Sequence, residues 1–319
     1  MLQVEYNGEI YERKKDESIL SCLIRHGIEY PHSCQAGICQ ACLAKTKEKE
    51  SIESSWQAEL PHTLRAQGYF LTCLAKPKAN FQLSSVEDAE CDSVAVVQDI
   101  KHLNHNVTQI KLVTDNLNIW VPGQYIHLIN SENVCRSYSI ANIPFQEGYI
   151  ELHVKRVLGG AMSNWLWDEN RINTAVRIRG PFGKCYYNNP NNNSFDIVLA
   201  GTGTGLAPLV AIIKSAYEQN HQGKITLLHG GLNDNDIYYA DEIRELAKEN
   251  GSFHYDPCVL NSSGQFPVAS IEKRILQHLN DVKNTQVYVC GPKEITNKLK
   301  RAAFIAGVSS TKIFSDAFV

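Results

Sequence analysis

The stretch YPHSCQAGICQAC, residues 30–42, sets Cys34, Cys39 and Cys42 in the order C-x4-C-x2-C, and YFLTCLAKP, residues 69–77, adds Cys73 after a long gap. Three thiols in one loop and a fourth from a distant segment suit a [2Fe-2S] cluster. Four thiolates complete two tetrahedral irons whose remaining positions are taken by bridging sulfide. Ala36, Gly37 and Ala41 are small enough to let backbone amides turn toward a compact anionic group. A structural zinc site usually presents two short-spaced Cys or His pairs, which is a different spacing. The other six cysteines, Cys22, Cys91, Cys135, Cys185, Cys258 and Cys290, form no second tetrad and read mostly as buried thiols.

Working outward, the 319 residues are 43% hydrophobic and 20% charged, an ordinary globular composition long enough for two or three domains. A net charge of -3 gives no basic footprint for nucleic acid. Ten cysteines are too sparse for a disulfide scaffold, and a labile cluster favours a reducing compartment. The opening MLQVEYNGEIYERKKDE has no apolar signal core, and no stretch reaches the roughly 18 apolar residues of a membrane span. A cytoplasmic protein without a membrane span is the expectation.

Residues 2–12 alternate around Asn7-Gly8, which predicts a hairpin with a type I′ turn. Ser18 can cap a helix over SILSCLIRHG that Gly27 ends. Hairpin, helix and cysteine loop follow one another as in plant-type ferredoxins, a resemblance that extends to about residue 86 and implies a β-grasp domain. The polar SSVEDAECDS reads as a linker. From Val94 to about Tyr187 short alternating segments such as VTQIKLV and YIELHVKRV predict an antiparallel β-barrel. From Phe195 a continuous apolar strand, a Gly-rich turn and a long helix begin an α/β parallel sheet, continued by KITLLHGG and TQVYVCGP. The expected domains are residues 1–88, 93–190 and 195–319, with the asparagine run YYNNPNNNSF joining the last two.

In the barrel segment, Arg136, Ser137, Tyr138 and Ser139 resemble the R-x-Y-S flavin signature of the ferredoxin-NADP reductase superfamily. Arginine supplies a charge-assisted donor for a flavin phosphate, tyrosine a face and hydroxyl for the ring system, and Ser139 a hydrogen bond at the ring edge. VPGQY at 121–125 matches the turn that precedes the flavin strand in that superfamily. Gly160, Ala161, Met162 and Ser163, followed by Leu166, resemble its G-x-x-S-x-x-L phosphate turn, where a helix start suits a pyrophosphate.

Gly201, Thr202, Gly203, Thr204 and Gly205, with Pro208 in the following helix, resemble the superfamily's nicotinamide-nucleotide loop. Cys290, Gly291 and Pro292 match its C-G-P motif, which puts the thiol beside the nicotinamide, and Phe318 stands where the superfamily commonly places an aromatic against the flavin, ordinary packing being the other reading of that ring. HGGLNDNDIYYADEI, residues 229–243, carries Asp234 and Asp236 and no Lys or Arg. That acidic loop disfavours a 2′-phosphate, so NADH is expected over NADPH.

The whole order of segments resembles the reductase component of bacterial multicomponent oxygenases, of the benzoate dioxygenase and phenol hydroxylase reductase type. The resemblance implies hydride transfer from NADH to FAD, single-electron passage to the [2Fe-2S] cluster, and delivery to an electron-accepting protein, an oxygenase component or ferredoxin. FAD rather than FMN rests on the resemblance alone. Ser139, Cys290 and Phe318 are then the residues at the reacting rings. Alternatives are a reductase for a deoxysugar dehydrase, a free-flavin or quinone reductase, and a non-enzymatic redox-sensing module. An intact GTGTG loop and C-G-P motif argue against the last.

Overall fold

The computed structural model describes residues 2–58, 60, 62–85, 92–115, 117–189 and 193–318. The chain divides into two compact units. One comprises Met1–Val94 with His127–Ser137 and Ala175–Gly180; the other comprises Ala95–Ile126, Tyr138–Thr174 and Pro181–Val319.

In the first unit, β1 (Leu2–Tyr6) and β2 (Glu9–Arg13) form an antiparallel hairpin. Asn7 at φ 54° and Gly8 at φ 83° supply the two left-handed positions that a type I′ turn requires. The helix Ile19–Arg25 follows, and the Ser18 hydroxyl accepts from the Ser21 amide as its N-cap. With β3 (Leu43–Lys45), β4 (Tyr69–Leu71) and β5 (Phe81–Ser85) the strand order is β2-β1-β5-β3-β4, with β5 parallel to β1. This is the expected β-grasp arrangement. Helix residues Ile19, Leu20 and Leu23 bury against Trp56, Phe70 and Phe81; the Phe81 ring meets Phe70 edge-on at 5.3 Å and Trp56 at 5.9 Å.

β6 (Asp92–His102), β7 (Val107–Thr114), β8 (Tyr125–Ile129), β9 (Cys135–Ser139), β10 (Ile150–Lys155) and β11 (Ala175–Phe182) form one sheet in the order β10-β7-β6-β11-β8-β9. The β10-β7 and β7-β6 pairs are antiparallel. The expected linker narrows here, because Ser84 already belongs to β5 and Asp92 to β6. Its centre, residues 86–91 with Cys91, lies outside the described residues, as do residues 190–192 of the asparagine run.

The second unit holds a parallel sheet of β12 (Asp196–Thr202), β13 (Ile225–Asn233), β14 (Phe253–Asn261), β15 (Thr285–Pro292) and β16 (Ile313–Phe318), in the order β14-β13-β12-β15-β16. β12 and β15 are buried along their interiors, as strands covered on both faces must be. One face packs on the helices Leu206–Glu218 and Ala240–Glu249, the other on Ile271–Gln277 and Lys293–Ile305. The order reverses between β12 and β15, and the crevice beyond such a switch point is where open α/β sheets bind ligands. Among the described residues no helix is long and apolar enough to cross a membrane.

Candidate functional site

The four cysteines come together in the first unit. None forms a disulfide. Cys34 and Cys39 interact through their thiols, as do Cys42 and Cys73. The amides of Ala36 and Cys39 donate to Cys34 Sγ at 3.3 and 3.4 Å, and the Cys34 amide donates to Cys39 Sγ at 3.4 Å. Its partner thiol Cys39 and those amides hold the Cys34 thiol down to about 5. The Cys42 thiol and the Gly37 amide lower Cys73 as well. Within each pair the partner is pushed the other way, Cys39 by Cys34 and Cys42 by Cys73, so each pair holds one thiol down; four thiols gathered beside inward-facing amides fit a [2Fe-2S] cluster. Gly37 is required here, because at φ 77° a Cβ would stand 2.5 Å from Leu74 Cδ1. The loop residues Cys39 and Ala41 pack on Ile129 and Cys135 within the same unit.

The flavin signature lies on β9. Ser137 Oγ is 3.1 Å from His127 Nδ1. The Arg136 guanidinium donates to the carbonyls of Cys135 at 2.7 Å and His32 at 3.4 Å. Ser139 donates to Asp316 Oδ2 at 2.7 Å, and burial pushes the Asp316 carboxyl up to about 6. Asp316 is a residue that sequence reading misses. It lies 177 positions from Ser139, and only the last strand's register shows what it faces.

In the phosphate turn, Gly160 is the N-cap of the short helix Ala161–Trp165. Ser163 Oγ accepts from the Val157 amide at 3.1 Å and donates to the Gly160 carbonyl at 3.4 Å, so the serine stabilises the turn itself. Met162 is buried and Leu166 fully so.

At the nicotinamide loop the glycines divide by purpose. A Cβ on Gly205 would sit 2.2 Å from the Cys290 carbonyl oxygen, and one on Gly201 2.9 Å from the same atom. Those two serve close approach to β15. Gly203, at φ 53°, faces open space, and a Cβ there would meet no atom within 4 Å. A cavity of about 540 Å³ is bordered by Thr202, Gly203, Thr204, Gly231, Pro292 and Phe318, a volume that suits a nucleotide. Pro208 is buried in the first turn of the following helix.

The register β15–β16 sets Cys290 opposite Asp316, Gly291 opposite Ala317 and Pro292 opposite Phe318. Cys290 is fully buried and its Sγ is 3.5 Å from Cys185 Sγ. The acidic loop is used differently from the simple expectation. Asp234 accepts from the amide and hydroxyl of Ser263 at 2.6 and 2.7 Å and is occupied by them. Asp236 caps the Asn233 amide at 2.9 Å and also borders the cavity, joined there by Glu272 from the helix Ile271–Gln277.

Comparison with known proteins supplies the class. Residues 3–78 match the 2Fe-2S iron-sulfur cluster binding domain, 94–187 the oxidoreductase FAD-binding domain, and 199–301 the oxidoreductase NAD-binding domain. The CDP-6-deoxy-L-threo-D-glycero-4-hexulose-3-dehydrase reductase of Yersinia pseudotuberculosis is 28% identical over 98% of this chain and 96% of its own length. The xylene/toluene monooxygenase electron transfer component XylA of Pseudomonas putida is 26% identical over 99% of this chain and 93% of its own. The crystal structure of the Amycolatopsis cytochrome P450 reductase GcoB aligns over 100% of this chain and 99% of that one, at 25% identity and a TM-score of 0.71. The chain belongs to the [2Fe-2S] flavoprotein reductases of the ferredoxin-NADP reductase type. It is an NAD(P)H-dependent oxidoreductase that uses FAD and a [2Fe-2S] cluster to pass electrons to an accepting partner.

Proposed function

We propose that this chain is the cytoplasmic reductase component of a multicomponent oxygenase, working as three modules: residues 1–88 for the cluster, 93–190 for FAD and 195–319 for NADH. The observation that carries the reading is the pairing at the last strand. Asp316 bonds Ser139 of the flavin signature and lies opposite Cys290 of the C-G-P motif, while Phe318, two residues on, borders the nucleotide cavity. Flavin-directed and nicotinamide-directed residues thus share one strand end.

When bound, FAD converts the hydride pair of NADH into single electrons for the cluster. The chain's own residues position the groups. Arg136 holds a flavin phosphate, Tyr138 offers its ring, and the turn from Gly160 to Ser163 takes the pyrophosphate. Thr202, Gly203 and Thr204 receive the nicotinamide nucleotide, with Gly201, Gly205 and Pro208 setting the loop against β15. Ser139, Cys290, Gly291 and Pro292 would border the reacting rings, and Phe318 would pack its ring against the flavin. Cys34, Cys39, Cys42 and Cys73 ligate the irons.

The oxygenase partner is supported by relatives named as electron-transfer components of xylene/toluene monooxygenase and toluate 1,2-dioxygenase. The Yersinia relatives favour a second reading, a deoxysugar dehydrase as acceptor. Reconstitution decides between them. The holoprotein is mixed with a purified aromatic-ring oxygenase component or with a purified hexulose dehydrase, and NADH oxidation is followed with product formation. Coupled product in the oxygenase arm is expected; coupling in the dehydrase arm alone overturns the proposal.

A further inference from the structure

At the N-terminal end of β14, away from the Gly-rich turn, His254 and Asp256 stand two residues apart, so both project from the same side of the strand. His278, the C-cap of the helix Ile271–Gln277, reaches the same place. Its Nε2 is 2.8 Å from Asp256 Oδ2. The His254 and His278 rings lie 5.6 Å apart. One ligand atom from each of the three side chains falls within 4.8 Å of the other two.

We propose that His254, Asp256 and His278 form a binding site for a divalent transition metal of the Zn²⁺ class. Zinc takes imidazole nitrogen and carboxylate oxygen at about 2.0–2.1 Å in a tetrahedron, so its ligand atoms sit roughly 3.4 Å from one another. The separations here run from 2.8 Å to within 4.8 Å and so bracket that edge. The cation takes the lone pair of His278 Nε2, so the imidazole that binds it is the tautomer with its hydrogen on Nδ1, and any further proton on the ring leaves to solvent. Arg274 donates from Nε to Asp256 Oδ2 at 3.0 Å and from its terminal nitrogen to Oδ1, which fixes the carboxylate as an outer-shell partner does.

An ion-pair network of Asp256, Arg274 and His278 that merely fastens the helix to the strand accounts for those three residues. It leaves His254 without a purpose. His254 is exposed, takes no part in that network, and turns its ring toward the same carboxylate. Three protein ligands leave a fourth position for water, as in open zinc sites. The same helix begins at Ile271 and Glu272, which border the nucleotide cavity, so a cation at its other end pins an element of the cavity wall.

The test uses the holoprotein, whose cluster cysteines are occupied by iron. Zn²⁺ is titrated by calorimetry into the wild type, His254→Ala and His278→Gln, and melting temperature is recorded with and without the metal. One equivalent is expected for the wild type, with binding weakened at least roughly tenfold in each variant. Zn²⁺ should raise the melting temperature of the wild type alone. His254→Ala removes an exposed side chain and should melt like the wild type without zinc, which separates ligand loss from misfolding. Equal affinity and stoichiometry in the wild type and His254→Ala, or no binding by the wild type at millimolar zinc, overturns the site.

Discussion

Two glycines of the nicotinamide loop and one buried histidine show how much single residues decide here. Gly205 is pressed on the Cys290 carbonyl, where a methyl group would sit at 2.2 Å from backbone that cannot yield. Gly205→Ala should therefore lower the stability of the nucleotide-binding part by about 1–3 kcal/mol and raise KM for NADH, read from urea unfolding and steady-state kinetics. Gly203→Ala meets open space and only a strained φ, so a smaller stability cost is expected. His229 is the residue whose burial has a consequence. Its desolvated ring is held down to about 3, against 6.5 in an unfolded chain. The unfolded state therefore binds a proton that the native state refuses between those values, and stability falls as pH is lowered through 6.5. Between about pH 7 and pH 5 that single group should remove about 2 kcal/mol. His229→Gln should flatten this part of the profile in urea titrations; an unchanged slope would contradict the assignment.

At the scale of elements, what the sequence announces is what local chemistry dictates. Asn7-Gly8 can only be a left-handed turn, Ser18 caps a helix, and VLA in β12 is apolar enough to be a covered strand. β14 and β16 escaped notice because they are the edges of the parallel sheet. FHYDPCVLN carries a proline, a histidine and an aspartate, and IFSDAF is half-buried along its length, so neither shows the apolar run of a central strand. The same cause hid Asp316, an acidic residue whose role depends on β16 pairing with β15. The cysteine tetrad and glycine loops were legible because metal geometry and phosphate approach demand residue types at fixed spacing. Asp234 was misleading: it reads as a free acidic group, yet Ser263 occupies it. The aromatic cluster under the β-grasp helix gives an element-scale test. Phe70 is fully buried between Trp56 and Phe81. Phe70→Ala should cost about 3–5 kcal/mol in the first unit, seen as cluster loss at a lower temperature by visible absorbance while flavin fluorescence stays unchanged.

At the scale of the whole molecule, three matched families in one chain define an electron path, and the competing functions differ in where that path ends. A free-flavin reductase would keep its full rate without the cluster, and a sensor module would oxidise NADH slowly in every variant. The cavity wall bears Asp236 and Glu272 against a single cation, Lys155, so stopped-flow flavin reduction should be faster with NADH than with NADPH. Faster reduction by NADPH would contradict that specificity. The central claim, that electrons leave through the cluster held by Cys34, Cys39, Cys42 and Cys73, is tested most directly by Cys39→Ala. The hydride step needs no iron, so NADH should still bleach the flavin in stopped flow and ferricyanide turnover should persist, while cytochrome c reduction falls steeply. Cytochrome c reduction at the wild-type rate in a variant shown to lack iron and sulfide would contradict that exit route.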